Sequence, residues 1–182
     1  MEVRINKTAL LALALIGIGI TLRLIPHVDN FAPIGAIALF AGAVLSLRIA
    51  VWLPLAIMIV SDLIIGLHDT VLFTWSGFLL ITLFGTLWQR NSNWVRVPFG
   101  ALGGALIFFA VSNFGVWLVS GMYPHTLQGL ADCFVLALPF LRTSLMADVS
   151  FALLFFGLYA LAGQHLRGAV TLHLPKLKTA SD

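Results

Sequence analysis

The stretch Val97–Ser120, VPFGALGGALIFFAVSNFGVWLVS, carries no Asp, Glu, Lys or Arg. An apolar run of more than about 18 residues is what a helix needs to cross the hydrocarbon core of a bilayer. This run decides the class of fold, and similar runs recur along the chain. Of the 182 residues, 60% are hydrophobic and 9% charged, with a mean hydropathy of +1.05. A soluble domain needs about 25% charged residues to cover its surface, so the composition points to an integral membrane protein. With Cys133 as its one cysteine, the chain has no disulfide framework and no zinc ribbon.

Working outward, the apolar runs predict an all-α membrane protein with six transmembrane helices in a single domain. The spans fall at about 8–25, 33–47, 49–67, 71–88, 97–120 and 142–163. The first follows a basic tail and could pass for a signal peptide. It lacks a small-x-small cleavage site and runs on into Thr21-Leu22-Arg23, so it reads as a retained helix. Pro33 suits the first turn of the second span, and Arg48 closes that span. A segment at 129–140 is apolar but too short to cross alone, and Pro139 interrupts it.

Positive charge sets the expected orientation, because cytoplasmic loops carry the excess of Lys and Arg. With the N-terminus inside, Arg4, Lys7, Arg48, Arg90, Arg96, Arg167, Lys176 and Lys178 are cytoplasmic, and only Arg23 and Arg142 are not. Both termini are therefore expected in the cytoplasm. The same orientation gathers His27, Asp29, Asn30, His68, Asp69, Tyr123, His125, Gln128 and Asp132 at the outer face. The cations are spread too thinly for a nucleic-acid stripe, so no nucleic-acid partner is expected.

Two acids, Asp62 and Asp148, lie at membrane depth, where an ionisable group costs several kcal/mol unless paired or wetted. One reading is a packing ion pair with Arg23 or Arg142; the other is a functional site. Asn113 takes a place in the fifth span like that of Asp62 in the third, and such groups either join helices or touch ligand. Gly100 and Gly104 give the fifth span a small-residue face, and Ala38 and Gly42 give the second a similar one, for contact within one bundle. Ala9, Ala12, Ala14, Gly17 and Gly19 stud the first span, which could be a docking face for a partner subunit. The tryptophans suit interfacial anchors, while Trp75 and Tyr123 beside the outer loops could stack on a flat ligand.

No catalytic motif is present. There is no nucleophile elbow, no His-Glu-x-x-His and no nucleotide loop. Cys133 reads as an inert core thiol. The chain is not expected to be an enzyme, and no intrinsic cofactor is expected.

Four segments carry a resemblance: Asn30–Gly42 (NFAPIGAIALFAG), Ser61–His68 (SDLIIGLH), Ser112–Trp117 (SNFGVW) and Tyr123–Leu130 (YPHTLQGL). They resemble a family of small bacterial membrane proteins grouped with the substrate-binding S components of energy-coupling factor transporters, close to the solitary cobalamin-specific type. The resemblance covers roughly residues 10–163. It implies an S-component-like six-helix bundle in the bacterial cytoplasmic (inner) membrane, with a vitamin-like ligand held by the outer loops after the first, third and fifth helices.

In the cobalamin-binding relatives a cysteine after the third helix ligates cobalt. His68 stands at about that place here, and a neutral imidazole is also a competent ligand. The resemblance thus implies uptake of cobalamin, with His68 on the metal. Asn30, Tyr123 and His125 would line the mouth, Asp62 and Asn113 would orient polar groups deeper in, and Phe31, Asp69 and Trp75 are further candidate binding residues. The implied partners are the ligand, the lipid bilayer and an energising transmembrane subunit with ATPases. Three alternatives stand beside this reading. One is an S component for another vitamin or for a transition-metal ion held by His27, His68 and His125. The others are a non-transport assembly protein and a membrane-embedded enzyme.

Overall fold

The computed structural model describes residues 7–26, 30–88 and 95–171. The described residues form seven helices: α1 (Lys7–Leu24), α2 (Ile34–Val44), α3 (Leu47–Ile65), α4 (Val71–Trp88), α5 (Arg96–Val119), α6 (Leu127–Leu136) and α7 (Leu138–Thr171). Among the described residues the regular structure is all helical, as the apolar runs predict. His27, Asp29, Arg4, Arg90, Lys176 and Lys178 lie outside the described residues.

Four helices are long and apolar enough to cross a membrane: α3, α4, α5 and the Leu138–Ala162 part of α7. Apolar helices of this length mark a membrane protein. The apolar parts of α1 and α2 are shorter. The 11 residues of α2 extend about 16 Å at 1.5 Å per residue, half the thickness of a hydrocarbon core.

Instead of facing lipid, α2 is the core. Every residue from Ile34 to Gly42 is buried, because α3, α4, α5 and α7 all pack on it. A helix apolar on every side is stable only when so enclosed. Glycine makes the enclosure close. A Cβ on Gly42 would strike the Thr82 carbonyl of α4, and a Cβ on Gly85 of α4 would strike the Leu39 carbonyl of α2. The two helices thus approach backbone to backbone. Phe40 extends the core toward α7, edge-on to Phe156 and Tyr159 with ring centroids 5.1 and 5.7 Å away.

The small-residue face of α5 is internal, as expected. Gly100, Ala101, Gly104 and Ala105 are buried, and Gly104 faces Ile81 of α4. The stripe on α1 divides: Gly19 abuts Ile57 and Ile37, whereas Gly17 faces open space.

The last span differs from expectation. Pro139 does not interrupt a helix; it lies in the first turn of α7, where its missing N–H has no cost. The helix starts at Leu138 instead of Arg142, and its 34 residues extend well past the expected end at 163. The break falls at Ala137, between α6 and α7.

The hairpins place the ends of α1, α3 and α5 with the starts of α2, α4 and α7. Gly66 (φ 116°) ends α3, and Asn30 (φ 61°) turns the chain into α2. Both conformations are left-handed, the region glycine and asparagine reach most easily. Thr126 starts α6 by accepting a 3.1 Å hydrogen bond from the Gly129 N–H.

Candidate functional site

Two adjoining cavities open where α1, α3 and α5 finish. The inner one, about 340 Å³, is bounded by Arg23, Gly35, His68, Phe78 and Asp148 among others. The second, about 620 Å³, is bounded by Ser112, Asn113, Tyr123, Cys133 and neighbouring apolar residues. Asn30, Thr74, Phe108 and Ser144 line both, so the two chambers share a wall. Each volume lies in the range of about 300–1,000 Å³ that holds small ligands.

Arg23, on the wall of the inner chamber, is held by a buried carboxylate behind it. Arg23 Nη2 stands 2.6 Å from Asp62 Oδ1, and Asp62 is 1% exposed. Arg23 Nη1 also donates to Ser61 Oγ at 2.8 Å. The other carboxylate oxygen of Asp62 accepts from Trp75 Nε1 at 2.8 Å. Three helices, α1, α3 and α4, are joined through this carboxylate. Of the two cations the sequence offers, Arg23 is the partner of Asp62, Trp75 donates to the same carboxylate, and neither Asp62 nor Trp75 borders either chamber.

Asp148 does not pair with Arg23 or Arg142. Its Oδ1 accepts the Ala36 N–H at 3.0 Å across the chain from α7 to α2. The first turn of a helix leaves N–H groups without intrahelical partners and carries partial positive charge. The residue before α2 is Pro33, which makes no side-chain cap, so Asp148 supplies one from another helix. Gly35 makes room for it: a Cβ there would collide with both carboxylate oxygens.

The loop after α3 presents His68 at the chamber. Its Nδ1 is 2.9 Å from Thr70 Oγ1, a contact that fixes the ring and leaves Nε2 as the nitrogen available to a ligand. Asp69 is exposed beside it and borders neither chamber. Asn30 borders both. Asn113 borders the outer chamber and anchors its amide by donating to the Phe109 carbonyl at 2.8 Å. Tyr123 stands at the same chamber.

Two candidates sit elsewhere. His125 packs against Trp117, with ring centroids 5.4 Å apart, and borders neither chamber. Phe31 packs on Phe151 at 6.0 Å and lines a separate lateral groove with Arg142. Among the described residues, no three His, Cys, Asp or Glu side chains gather to hold a metal ion; His27 lies outside them.

Thr74, Phe108 and Ser144 are site residues that sequence reasoning missed. Ser144 is four positions before Asp148 and so shares its helix face, a spacing that could have revealed it. Cys133 also borders the outer chamber, its thiol 3.4 Å from the Asn113 carbonyl. Burial pushes this thiol up from its ordinary value. A thiol so raised stays protonated at neutral pH and is a poor nucleophile.

Residues 3–172 match the family of unknown function DUF6580, and the chain belongs to that family. No curated protein and no solved structure matches it.

Proposed function

We propose that this protein is the substrate-binding membrane component of an uptake system for a vitamin-like micronutrient. The observation that supports this most is the pair of joined chambers at one end of the bundle, with polar groups converging from five helices and three connecting loops. Concave, mostly apolar chambers with a few placed polar groups are the usual form of a small-molecule site. In this reading α1 and α2 complete a six-span, S-component-like bundle in the bacterial cytoplasmic membrane, with both termini cytoplasmic. Arg48 and Arg96 stand at the end away from the chambers, in keeping with positive charge inside. Release on the inner side would use an energising transmembrane subunit with ATPases.

Cobalamin is the first ligand proposed. His68 would coordinate the cobalt through Nε2, with Asn30 and Tyr123 around the mouth and Asn113 deeper. The test is binding of cyanocobalamin and hydroxocobalamin to the purified protein. Hydroxocobalamin, whose axial hydroxide or water is displaced easily, should shift its visible bands on binding. His68→Ala should abolish the shift and weaken binding. Binding with an unchanged spectrum in both proteins removes the coordination claim and leaves transport standing.

A second reading, a smaller vitamin, is favoured by the size of the inner chamber. At about 340 Å³ it is far too small for a corrinoid, which would have to lie across the mouth of both chambers.

A further inference from the structure

The inner chamber has a charge pattern that the uptake reading alone does not use. Arg23 is matched by Asp62 at 2.6 Å, so those two charges cancel. Asp148 remains. It is 6% exposed, borders the chamber, and among the described residues has one polar partner, the Ala36 N–H. A buried carboxyl with no cation beside it is costly to ionise, and the partial charge of a helix start offsets only part of that cost, so a cation bound next to it would hold it in the charged form. Part of the same wall is aromatic: Phe78 and Phe108 both line the chamber and stack on one another, with centroids 4.5 Å apart and planes at 26°. A carboxylate and aromatic rings lining one small cavity suit a desolvated organic cation, because ring faces attract positive charge. Ser144, 9% exposed, and Asn30 add polar atoms to the same space.

We propose that the inner chamber is a subsite for the cationic head of a small organic solute, a protonated amine or quaternised ring nitrogen, bound between the Asp148 carboxylate and the Phe78–Phe108 pair. This rests on the small-vitamin reading and specifies its substrate class. A free anion is disfavoured because Arg23, the one Lys or Arg of the chamber wall among the described residues, is already matched. The role of Asp148 in capping α2 does not compete with this use, since a carboxylate accepts several hydrogen bonds at once.

The test is equilibrium dialysis of the purified protein against thiamine and benzylamine as cationic probes, with biotin as the anion and cyanocobalamin as the bulky uncharged solute. Both cations should bind at least about tenfold more tightly than biotin. Asp148→Asn keeps an oxygen that can accept the Ala36 N–H, so the variant should melt as the parent does. It should nevertheless lose about tenfold or more in affinity for the cations. Phe108→Leu should weaken the cations by several-fold through the lost ring face.

Failure of both cations to bind, or cation binding indifferent to Asp148→Asn, overturns the subsite. Cellular uptake separates this from the broader reading. If biotin or cyanocobalamin accumulates through the protein while the cations do not bind, the subsite falls and the uptake role stands. If the cations bind with dependence on Asp148 but no probe accumulates in cells, the subsite stands and the uptake role falls.

Discussion

Asp148, on the last helix, caps the first turn of the most buried helix by accepting the Ala36 N–H at 3.0 Å. The contact fits only because position 35 has no side chain. The cap ties α7 to α2 at the floor of the inner chamber, so packing and site depend on the same pair.

Gly35→Ala should therefore destabilise the protein. The added methyl would drive Asp148 off the helix start and leave the Ala36 N–H unmet. Overpacking of this kind costs typically about 1–3 kcal/mol. Thermal unfolding in detergent should show a clear drop in midpoint, and a midpoint equal to the parent's would contradict the cap.

The Arg23–Asp62 pair gives a second expectation. Removing one partner of a buried pair strands the other charge and costs about 3–5 kcal/mol. Arg23→Ala or Asp62→Ala alone should sharply lower the unfolding midpoint. The double variant should recover part of that loss, since neither charge is then left alone. Additive losses in the double variant would show that the two residues act separately.

Glycines of α1 and α2 should respond in opposite directions. Gly42→Ala meets the Thr82 carbonyl, which belongs to helix backbone and cannot swing aside, so its cost should approach about 3 kcal/mol. Gly17→Ala meets nothing within 4 Å and should be neutral or stabilising by up to about 1 kcal/mol through helix propensity. Equal melting of the two variants would contradict the backbone-to-backbone contact of α2 with α4.

Cys133 should resist maleimide at neutral pH. It is 2% exposed, and its raised pKa keeps the reactive thiolate scarce. Labelling should lag behind that of a cysteine introduced on the exposed loop at Asp69. Equal rates would show that the outer chamber admits reagent freely to the base of α6.

Much of the fold is legible in the sequence because the runs that form α3, α4 and α5 are long, apolar and separated by short polar breaks. Their ends fall within a few residues of the helices found. The central place of α2 is harder to read. Its run, PIGAIALFAGAV, has the hydropathy of any span, and only its wealth of glycine and alanine hints that helices crowd it on every side. The start of α7 is misread because proline breaks helix interiors yet fits first turns, and local sequence does not say which applies at Pro139.

The site divides the same way. His68, Asn30, Asn113 and Tyr123 come to the chambers because they occupy helix ends that the alternation of spans brings together. Asp148 is expected to pair with a cation, as the linear sequence offers Arg23 and Arg142. Its true partner is a backbone N–H 112 positions away, a donor that every residue but proline carries and that no motif marks. His125 is the right residue type for a mouth and Trp75 for stacking on a flat ligand, but neither borders a chamber: His125 packs on Trp117, and Trp75 donates to Asp62.

The central claim is that the chambers open to the outside of the cell. His68→Cys in a Cys133→Ser background, expressed in bacteria and treated with a membrane-impermeant maleimide, tests it most directly. The account predicts labelling of intact cells. Labelling that appears only after the cytoplasmic membrane is permeabilised would put His68 on the inner side and contradict capture from outside.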